Sequence, residues 1–259
     1  MIRNLVIITV TGLVLALVGI GGAFAVGGSD LARHDFTWVV SEDGHNDGVR
    51  FQRGGTVPPD VTRTLAWDGE DRLMLDLPAD VVYVQGAQAG VTVTGPESAV
   101  NRVRVSNGRV VMDDDGDNQE RGYIRWSRGG IHAWSDDDRL KVTVTAPSVS
   151  RFEIVGSSDL SIRGYDQPAL NLNISGSGDV EIEGVTRTFT AEITGSGDTD
   201  ADRLDVTDAV VDISGSGDVR FGPTGDVKVD ISGSGDIDLT RRPAQLRQEL
   251  SGSGDVEES

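Results

Sequence analysis

The string Gly-Ser-Gly-Asp occurs five times in the second half of the chain, and this repetition restricts the fold more than any other feature of the sequence. A variant, Gly-Ser-Ser-Asp, precedes the five copies. The aspartates that close the six strings are 18 to 20 residues apart: Asp159, Asp179, Asp198, Asp218, Asp236 and Asp255. Such a period, kept over six copies, predicts a solenoid in which each repeat forms one turn of a coil.

Apolar residues keep fixed positions relative to these aspartates. Five residues before them stand Ile154, Ile174, Ile193, Ile213, Ile231 and Leu250, and further apolar columns lie seven before, one after and three after. This period of two predicts strands on both sides of a turn. One repeat is too short to bury its own apolar face, so stacked repeats would share one dry interior. We expect a right-handed parallel β-helix with rungs of ~19 residues.

Each turn offers glycines and one aspartate. We expect the glycines to allow positive φ at a sharp corner; they are Gly176, Gly178, Gly195, Gly197, Gly215, Gly217, Gly233, Gly235, Gly252 and Gly254. Stacked carboxylates ~5 Å apart repel by roughly 1 kcal/mol per pair, which hydrogen bonds from turn N–H groups can offset. The alternative is calcium along the aspartate ladder. Calcium-binding nonapeptide solenoids repeat their glycine–aspartate motif at both turns of a rung, whereas this chain has it once.

Composition excludes several classes of function. The net charge of −19 disfavours binding to nucleic acid, whose phosphates carry the same sign. The absence of cysteine excludes disulfides, thiolate catalysis and thiolate zinc sites. Aromatic residues are only 5% of the chain while glycine occurs 34 times, which favours thin layers and many turns. No cofactor other than calcium is suggested.

The N-terminal segment is apolar. No charged residue occurs from Leu5 to Val26, and Arg3 precedes this run. The pattern predicts a signal peptide or a helical membrane anchor over residues 1–26, and Ala23-Phe24-Ala25 fits a small-x-small cleavage motif. Either alternative places the rest of the chain outside the cytoplasm, in the periplasm or the cell envelope. An uncleaved segment would make the membrane a partner.

The remaining chain divides into a connector over 27–72 and a solenoid domain over 73–259. Strand signals begin at Leu73, and an acidic insertion at 113–138 interrupts them. We interpret the insertion as a solvated loop, with a calcium site as the alternative. Its Trp126 and Trp134 would anchor it on the solenoid or stack on a sugar. At the C-terminal end, Glu257 and Glu258 would discourage strand addition.

The repeated Ile-Ser-Gly-Ser-Gly-Asp-Val segments follow the sequence Leu-Lys-Val-Thr-Val-Thr-Ala-Pro at 140–147. Together they resemble the bacterial family called putative auto-transporter adhesin, head GIN domain, from about Leu73 to Ser259. The resemblance implies a right-handed β-helix exported to the cell envelope and a role as an adhesin. No catalytic residues are defined for that family, so none is carried over to this sequence.

Three functions follow as hypotheses. The first is a non-catalytic exported protein of the cell envelope that presents a rigid surface for adhesion or scaffolding, with an envelope protein or a glycan as its partner. The second is a polysaccharide-active β-helix enzyme, which rests on fold analogy. The third is a calcium-stabilised binding module.

Overall fold

The computed structural model of the chain describes residues 36–43, 48–53, 58–113, 121–127, 130–135 and 139–258. The predicted signal or anchor segment lies outside these residues. Within them, no helix combines the length and the apolar character that crossing a membrane requires. The chain divides into two compact units: Met1–Val57 with Arg121–Ser135, and Pro58–Glu120 with Asp136–Ser259.

The described residues are almost entirely strands, with one short helix, α1, at Glu97–Val100. The strands are, in chain order, β1 Phe36–Asp43, β2 Gly48–Arg53, β3 Asp60–Leu65, β4 Arg72–Asp76, β5 Asp80–Gln85, β6 Gly90–Pro96, β7 Val103–Ser106, β8 Arg109–Met112, β9 Arg121–Ser127, β10 Gly130–Ser135, β11 Lys141–Ala146, β12 Arg151–Ile154, β13 Asp159–Ile174, β14 Val180–Ile193, β15 Thr199–Ile213, β16 Val219–Pro223, β17 Asp226–Ile231, β18 Ile237–Leu239, β19 Gln245–Leu250 and β20 Val256–Glu258.

The first unit contains a four-stranded antiparallel sheet in the order β10-β9-β1-β2. Its strands lie in the segments that the sequence analysis interprets as a connector and as a loop insertion. The structure therefore differs from that interpretation at both places. The strands of this sheet come from distant parts of the chain. In the pairing of β1 with β9, for example, Val40 faces Gly122, about 80 residues away. Long-range pairing of this kind leaves no local repeat in the sequence.

The second unit is a parallel β-solenoid, as predicted. From β12 onward, equivalent strands of successive rungs pair in parallel, and the five isoleucines of the predicted column face one another in register. Each of these isoleucines is at most 1% exposed. The columns that flank the turns are also buried, from Phe152 and Leu160 to Val229 and Leu239. Stacked aliphatic side chains therefore form one continuous dry interior.

One rung of the stack comes from residues far upstream. Strand β4 pairs with β12, and β5 pairs with β13 so that Asp80 faces Asp159. Chain separation at this step is 159 − 80 = 79 residues, against 18 to 20 elsewhere. Leu75 and Val81 nevertheless occupy the apolar columns five before and one after Asp80, and both are buried. The apolar spacing marks a seventh repeat, although Leu-Pro-Ala-Asp replaces the turn string there.

The N-terminal end of the stack is antiparallel, which differs from the regular rungs expected from Leu73 onward. Strand β11 pairs in parallel with β5 but antiparallel with β6, which in turn pairs antiparallel with β3. Strands β7 and β8 form a hairpin on β4 through the Asn107-Gly108 turn. Val91, Val93 and Val144 are fully buried under these strands. The first rung thus has apolar neighbours on both sides.

Three aromatic rings pack at the first two rungs. The rings of Tyr83 and Phe152 lie 5.1 Å apart, and those of Phe152 and Tyr165 lie 6.1 Å apart, both in edge-on arrangements. The hydroxyl of Tyr83 donates to the carbonyl of Ala146 (2.9 Å), and that of Tyr165 donates to the carbonyl of Ala169 (2.5 Å). Burial raises the pKa of both tyrosines above the ordinary value of 10.0.

Substitution Ile193→Ala tests the shared interior. It removes buried methylene groups between Ile174 and Ile213 and should lower the free energy of unfolding by about 2–5 kcal/mol. The control Val210→Ala changes a residue of β15 that lies three positions before Ile213 and is 42% exposed. It should change that free energy by less than about 0.5 kcal/mol. Denaturant unfolding followed by circular dichroism measures both, and equal losses would contradict an interior position for Ile193.

The tyrosine cluster predicts an alkaline limit to stability. Because the folded state raises the pKa of Tyr83 and Tyr165, their contribution is fully present below pH 10 and decreases as the pH rises above it. The double variant Tyr83→Phe and Tyr165→Phe should lose about 1 kcal/mol per hydrogen bond at neutral pH and show a flatter alkaline decline. Thermal unfolding across the alkaline range measures this. The control Phe152→Leu should be less stable but keep the wild-type pH dependence.

Candidate functional site

The stacked turns form one exposed ridge along the solenoid. We define the corner ridge as the turns at 175–179, 194–198, 214–218, 232–236 and 251–255. Each turn links a strand that ends in the isoleucine column to a strand that starts one residue after the aspartate. Since the strands on both sides pair in register, the turns also lie in register, and the sequence-predicted glycines and aspartates are brought into rows.

Backbone hydrogen bonds continue through the ridge from rung to rung. The N–H of Ser196 donates to the carbonyl of Gly176 (3.0 Å), and that of Ser216 donates to Gly195 (3.0 Å). On the far side of the turn, the N–H of Val180 donates to the carbonyl of Asp198 (2.8 Å). The turns are therefore as regular as the strands and belong to the same ladder.

The glycines are required by this close stacking. A Cβ atom on Gly176 would lie 1.8 Å from the carbonyl oxygen of Gly156, and on the other nine turn glycines it would lie 1.9–2.2 Å from a carbonyl oxygen of the preceding turn. Of the ten, only Gly252 has a positive φ, at +147°. The expectation that positive φ explains these glycines is therefore wrong for the other nine. The absent side chain matters because another backbone occupies its place.

The aspartates connect successive rungs. Each N–H in the row donates to Oδ1 of the aspartate one rung before it, with distances from 2.8 to 3.1 Å over the pairs 179 to 159, 198 to 179, 218 to 198, 236 to 218 and 255 to 236. Hydrogen bonds within one turn, as expected from the sequence, are replaced here by hydrogen bonds between successive turns. Only in the last rung does Asp255 accept from its own turn, from Val256 N–H (2.8 Å).

The first two turns of the row, which end at Asp80 and Asp159, are joined by other hydrogen bonds than the later turns. Asp159 donates its N–H to the carbonyl of Ala79 (3.1 Å), so the backbone replaces the Asp80 carboxylate as acceptor. Ser158, which stands in place of a glycine, is fully buried and donates its hydroxyl to the carbonyl of Leu77. Asp80 belongs to the aspartate row, although no Gly-Ser-Gly-Asp string marks it in the sequence. The signal that identifies it is the apolar spacing around Asp80.

A shallow groove of 630 Å³ runs beside the N-terminal half of this row. Asp80, Asp159, Asp179 and Asp198 lie along it, and Lys141 faces Asp80 at its end. Most of its charged groups are carboxylates, so the groove repels anionic ligands. Among the described residues, no group of three or more acidic or histidine side chains has an arrangement that could hold a metal ion.

Part of the predicted site chemistry falls outside the described residues. This holds for most of the acidic clusters at 113–138, which lie at 114–120 and 136–138, and for the side chains of Trp126 and Trp134. The calcium and sugar-stacking alternatives for that insertion stay predictions. The turns of the corner ridge, in contrast, are described throughout.

Ion pairs tie the outer faces of neighbouring rungs. Arg151 binds Asp71 at 2.8 Å, and its guanidinium lowers the pKa of that carboxyl. Further pairs join rungs along the stack: Arg72 with Glu153, Arg203 with Glu181, Arg220 with Asp238, and Arg241 with Asp205. These groups are exposed or half-buried, so each pair contributes little to stability. The arginines of these pairs neutralise five outward carboxylates on the flat faces. The described ridge, in contrast, carries no arginine or lysine.

Substitution at Asp218 tests the rung-to-rung role of the aspartates. Asp218→Ala leaves the N–H of Asp236 without its acceptor and should destabilise the solenoid by about 1–3 kcal/mol. Asp218→Asn keeps an oxygen at the same place and should retain most of the stability. Denaturant unfolding of both variants measures the difference. If the two variants lost equal stability, the interaction would depend on charge rather than on the hydrogen bond.

The comparisons with known proteins agree with this architecture. The chain is similar in structure to a putative adhesin from Bacteroides fragilis NCTC 9343, with 17% identity, coverage of 78% of this chain and 98% of that chain, and a TM-score of 0.59. It is also similar to a putative lipid binding protein from Parabacteroides distasonis ATCC 8503, at 18% identity, 78% and 97% coverage and a TM-score of 0.47. The first likeness shows a shared fold. No curated protein matches the chain.

The family model described as putative auto-transporter adhesin, head GIN domain, matches residues 71–243. The match begins at the first solenoid rung, includes the residues from which the sequence analysis inferred the resemblance, and spans more than half of the chain. The chain therefore belongs to the putative auto-transporter adhesin, head GIN domain family.

Proposed function

We propose that this chain is a non-catalytic, exported protein of the cell envelope whose solenoid adheres to neutral glycans through the corner ridge. The observation that carries the proposal is the regular row of exposed serine hydroxyls and aspartate carboxylates on that ridge. Its geometry is held by backbone hydrogen bonds through every turn. A ligand that repeats along its length could contact several rungs at once, which multiplies weak contacts.

The serines supply hydrogen-bonding groups to solvent. Ser177, Ser196, Ser216 and Ser234 are exposed, and within the described chain no hydrogen bond occupies their hydroxyls. Successive hydroxyls are one strand spacing apart, ~4.8 Å. Because each hydroxyl can both donate and accept, the row suits a partner that carries many hydroxyl groups of its own.

The aspartates add hydrogen-bond acceptors and determine which ligand charge the ridge favours. In the middle of the row, Oδ1 of each carboxylate is bonded to the next rung, while Oδ2 has no hydrogen bond among the described residues. A sugar hydroxyl can donate to such an oxygen. The chain carries a net charge of −19, so anionic polysaccharides are repelled. These two facts favour neutral glycans.

The equivalence of the carboxylates supports a non-catalytic role. Asp179, Asp198 and Asp218 each accept one backbone N–H from the next rung, and all three are exposed. Glycoside hydrolysis needs two carboxyl groups with different environments, one to donate a proton and one to act as nucleophile or base. A row of equal groups does not provide this division of roles.

The remaining features of the proposal come from the sequence. We infer that the coil is right-handed, as crossover connections between parallel strands generally are. We also infer that the apolar segment from Leu5 to Val26 exports the chain, either as a cleaved signal or as a helical anchor that leaves the solenoid on the outer side of the membrane.

Glycan binding by the full chain in detergent micelles tests the proposal. We expect retention of neutral glycans and little retention of uronic-acid or sulfated glycans on an array. The variant Ser196→Glu with Ser216→Glu should weaken binding at least about tenfold, because it replaces two hydroxyls that donate and accept by larger carboxylates that only accept.

The matched control adds the same two charges on the flat face of the same two rungs. It combines Thr190→Glu with Val210→Glu, which face each other between β14 and β15. This control should bind as the wild type does. Equal weakening by both variants, or binding to an envelope protein with no glycan bound, would overturn the glycan assignment.

A further inference from the structure

The last rung leaves one strand edge open. Strand β19 pairs with β17 on one side, and among the described residues no strand pairs with its other side. The apolar columns also end there: Leu250 is 42% exposed, and Leu246 is only partly buried. A parallel strand with an uncovered apolar side and free backbone groups is a surface for strand addition.

The hydrogen bonds of the inner rungs show which groups point to that edge. In each rung, the isoleucine that faces inward accepts from the next rung: Ile213 from Ser232 N–H (2.8 Å) and Ile231 from Ser251 N–H (2.7 Å). Backbone groups alternate in direction along a strand. The N–H and C=O groups of Leu246, Gln248 and Leu250 therefore point to the open edge of β19.

This alternation restricts how a second copy of β19 can pair with the edge in antiparallel orientation. Residues that face each other must both direct their hydrogen-bonding groups at the partner strand. The symmetric register that satisfies this over the whole strand places Gln248 opposite Gln248 of the second copy. Leu246 then lies opposite Leu250, and Arg247 lies opposite Glu249.

The side chains of β19 are complementary to themselves in this register. The sequence Leu-Arg-Gln-Glu-Leu at 246–250 reads as leucine, cation, amide, anion and leucine. Its apolar ends would meet in the interior columns, and its opposite charges would meet on the outer face. Neither Arg247 nor Glu249 has an ion-pair partner within the described residues. Both are therefore available to a second copy.

The neighbouring strand of the last rung does not share this property. An antiparallel self-pairing of β20 centred on Glu257 would place Glu257 opposite Glu257 of the second copy. Asp255, whose equivalents bind the next rung, bonds instead to Val256 N–H of its own turn. At the end of the aspartate row, Oδ1 of Asp255 is therefore already bonded within its own rung. The edge of β19 that faces away from β17 has no strand partner among the described residues.

We propose that β19 pairs with β19 of a second copy across a twofold axis at Gln248, which joins two solenoids by their C-terminal rungs. The contact is isologous, because the same strand is used by both copies. It makes a continuous sheet through the junction and covers the leucines that end the apolar columns. The inference is independent of the glycan proposal, since it uses neither the serine nor the aspartate row.

A single cysteine tests the register directly. The chain has no cysteine, so Gln248→Cys introduces the only thiol. Opposed Cα atoms in such a pair are ~5.5 Å apart, within the range that a disulfide spans. Mild oxidation of the full chain in detergent micelles should give a disulfide-linked dimer on non-reducing gels. The control Lys228→Cys places an exposed thiol one rung inside, on β17, where residue 228 faces Arg247, and it should give at least about fivefold less dimer.

Charge exchange in the Gln248→Cys background separates this contact from association through other parts of the chain. Arg247→Glu should reduce the dimer yield at least about fivefold, because four carboxylates then meet. Adding Glu249→Arg should restore the yield, since opposite charges face each other again. Lys228→Glu, with the same change in net charge, should leave the dimer yield unchanged.

Equal yields from the two cysteine positions, or no recovery after the exchange, would overturn the proposal. Thermal unfolding confirms that each variant is folded.

Discussion

The direct stacking of one turn backbone on the next is the interaction on which this solenoid depends. Carbonyl oxygens of each turn lie where the next turn's glycines would carry a Cβ. A side chain at Gly195 or Gly215 would push two rungs apart at the corner and break the hydrogen bonds of the serines beside them. The flat sheets and the ridge are therefore one hydrogen-bonded structure rather than sheets joined by loops.

The same stacking explains why both ends of the coil differ from its middle. An interior isoleucine such as Ile193 is covered by its equivalents above and below, but the first and last members of a column have one neighbour only. At the N-terminal end, antiparallel strands and buried valines cover the column. At the C-terminal end, Leu250 stays partly exposed, which is why the open edge of β19 is the place where a second copy fits.

In the aspartate row, the same side chain has a structural role and, in the proposed function, a binding role. One carboxylate oxygen of Asp198 or Asp218 holds the next rung, and the other faces outward. Stacked like charges repel, and the backbone N–H that each accepts offsets part of that repulsion. The row therefore displays charge at a fixed spacing, on a surface that would not need to reorganise to bind the glycan proposed above.

The sequence by itself determined the period, the apolar columns and the parallel stack, because each rung contacts its neighbours in chain order and the pattern repeats locally. Isoleucines five residues before each aspartate were enough to predict that interior. Only the tertiary structure decided that the repeat around Asp80 stacks on the one around Asp159, that distant strands pair as β1 with β9, and that the glycines serve close approach rather than positive φ. These features depend on backbones that are far apart in the chain and meet only in the fold, and a local pattern carries no record of such contacts.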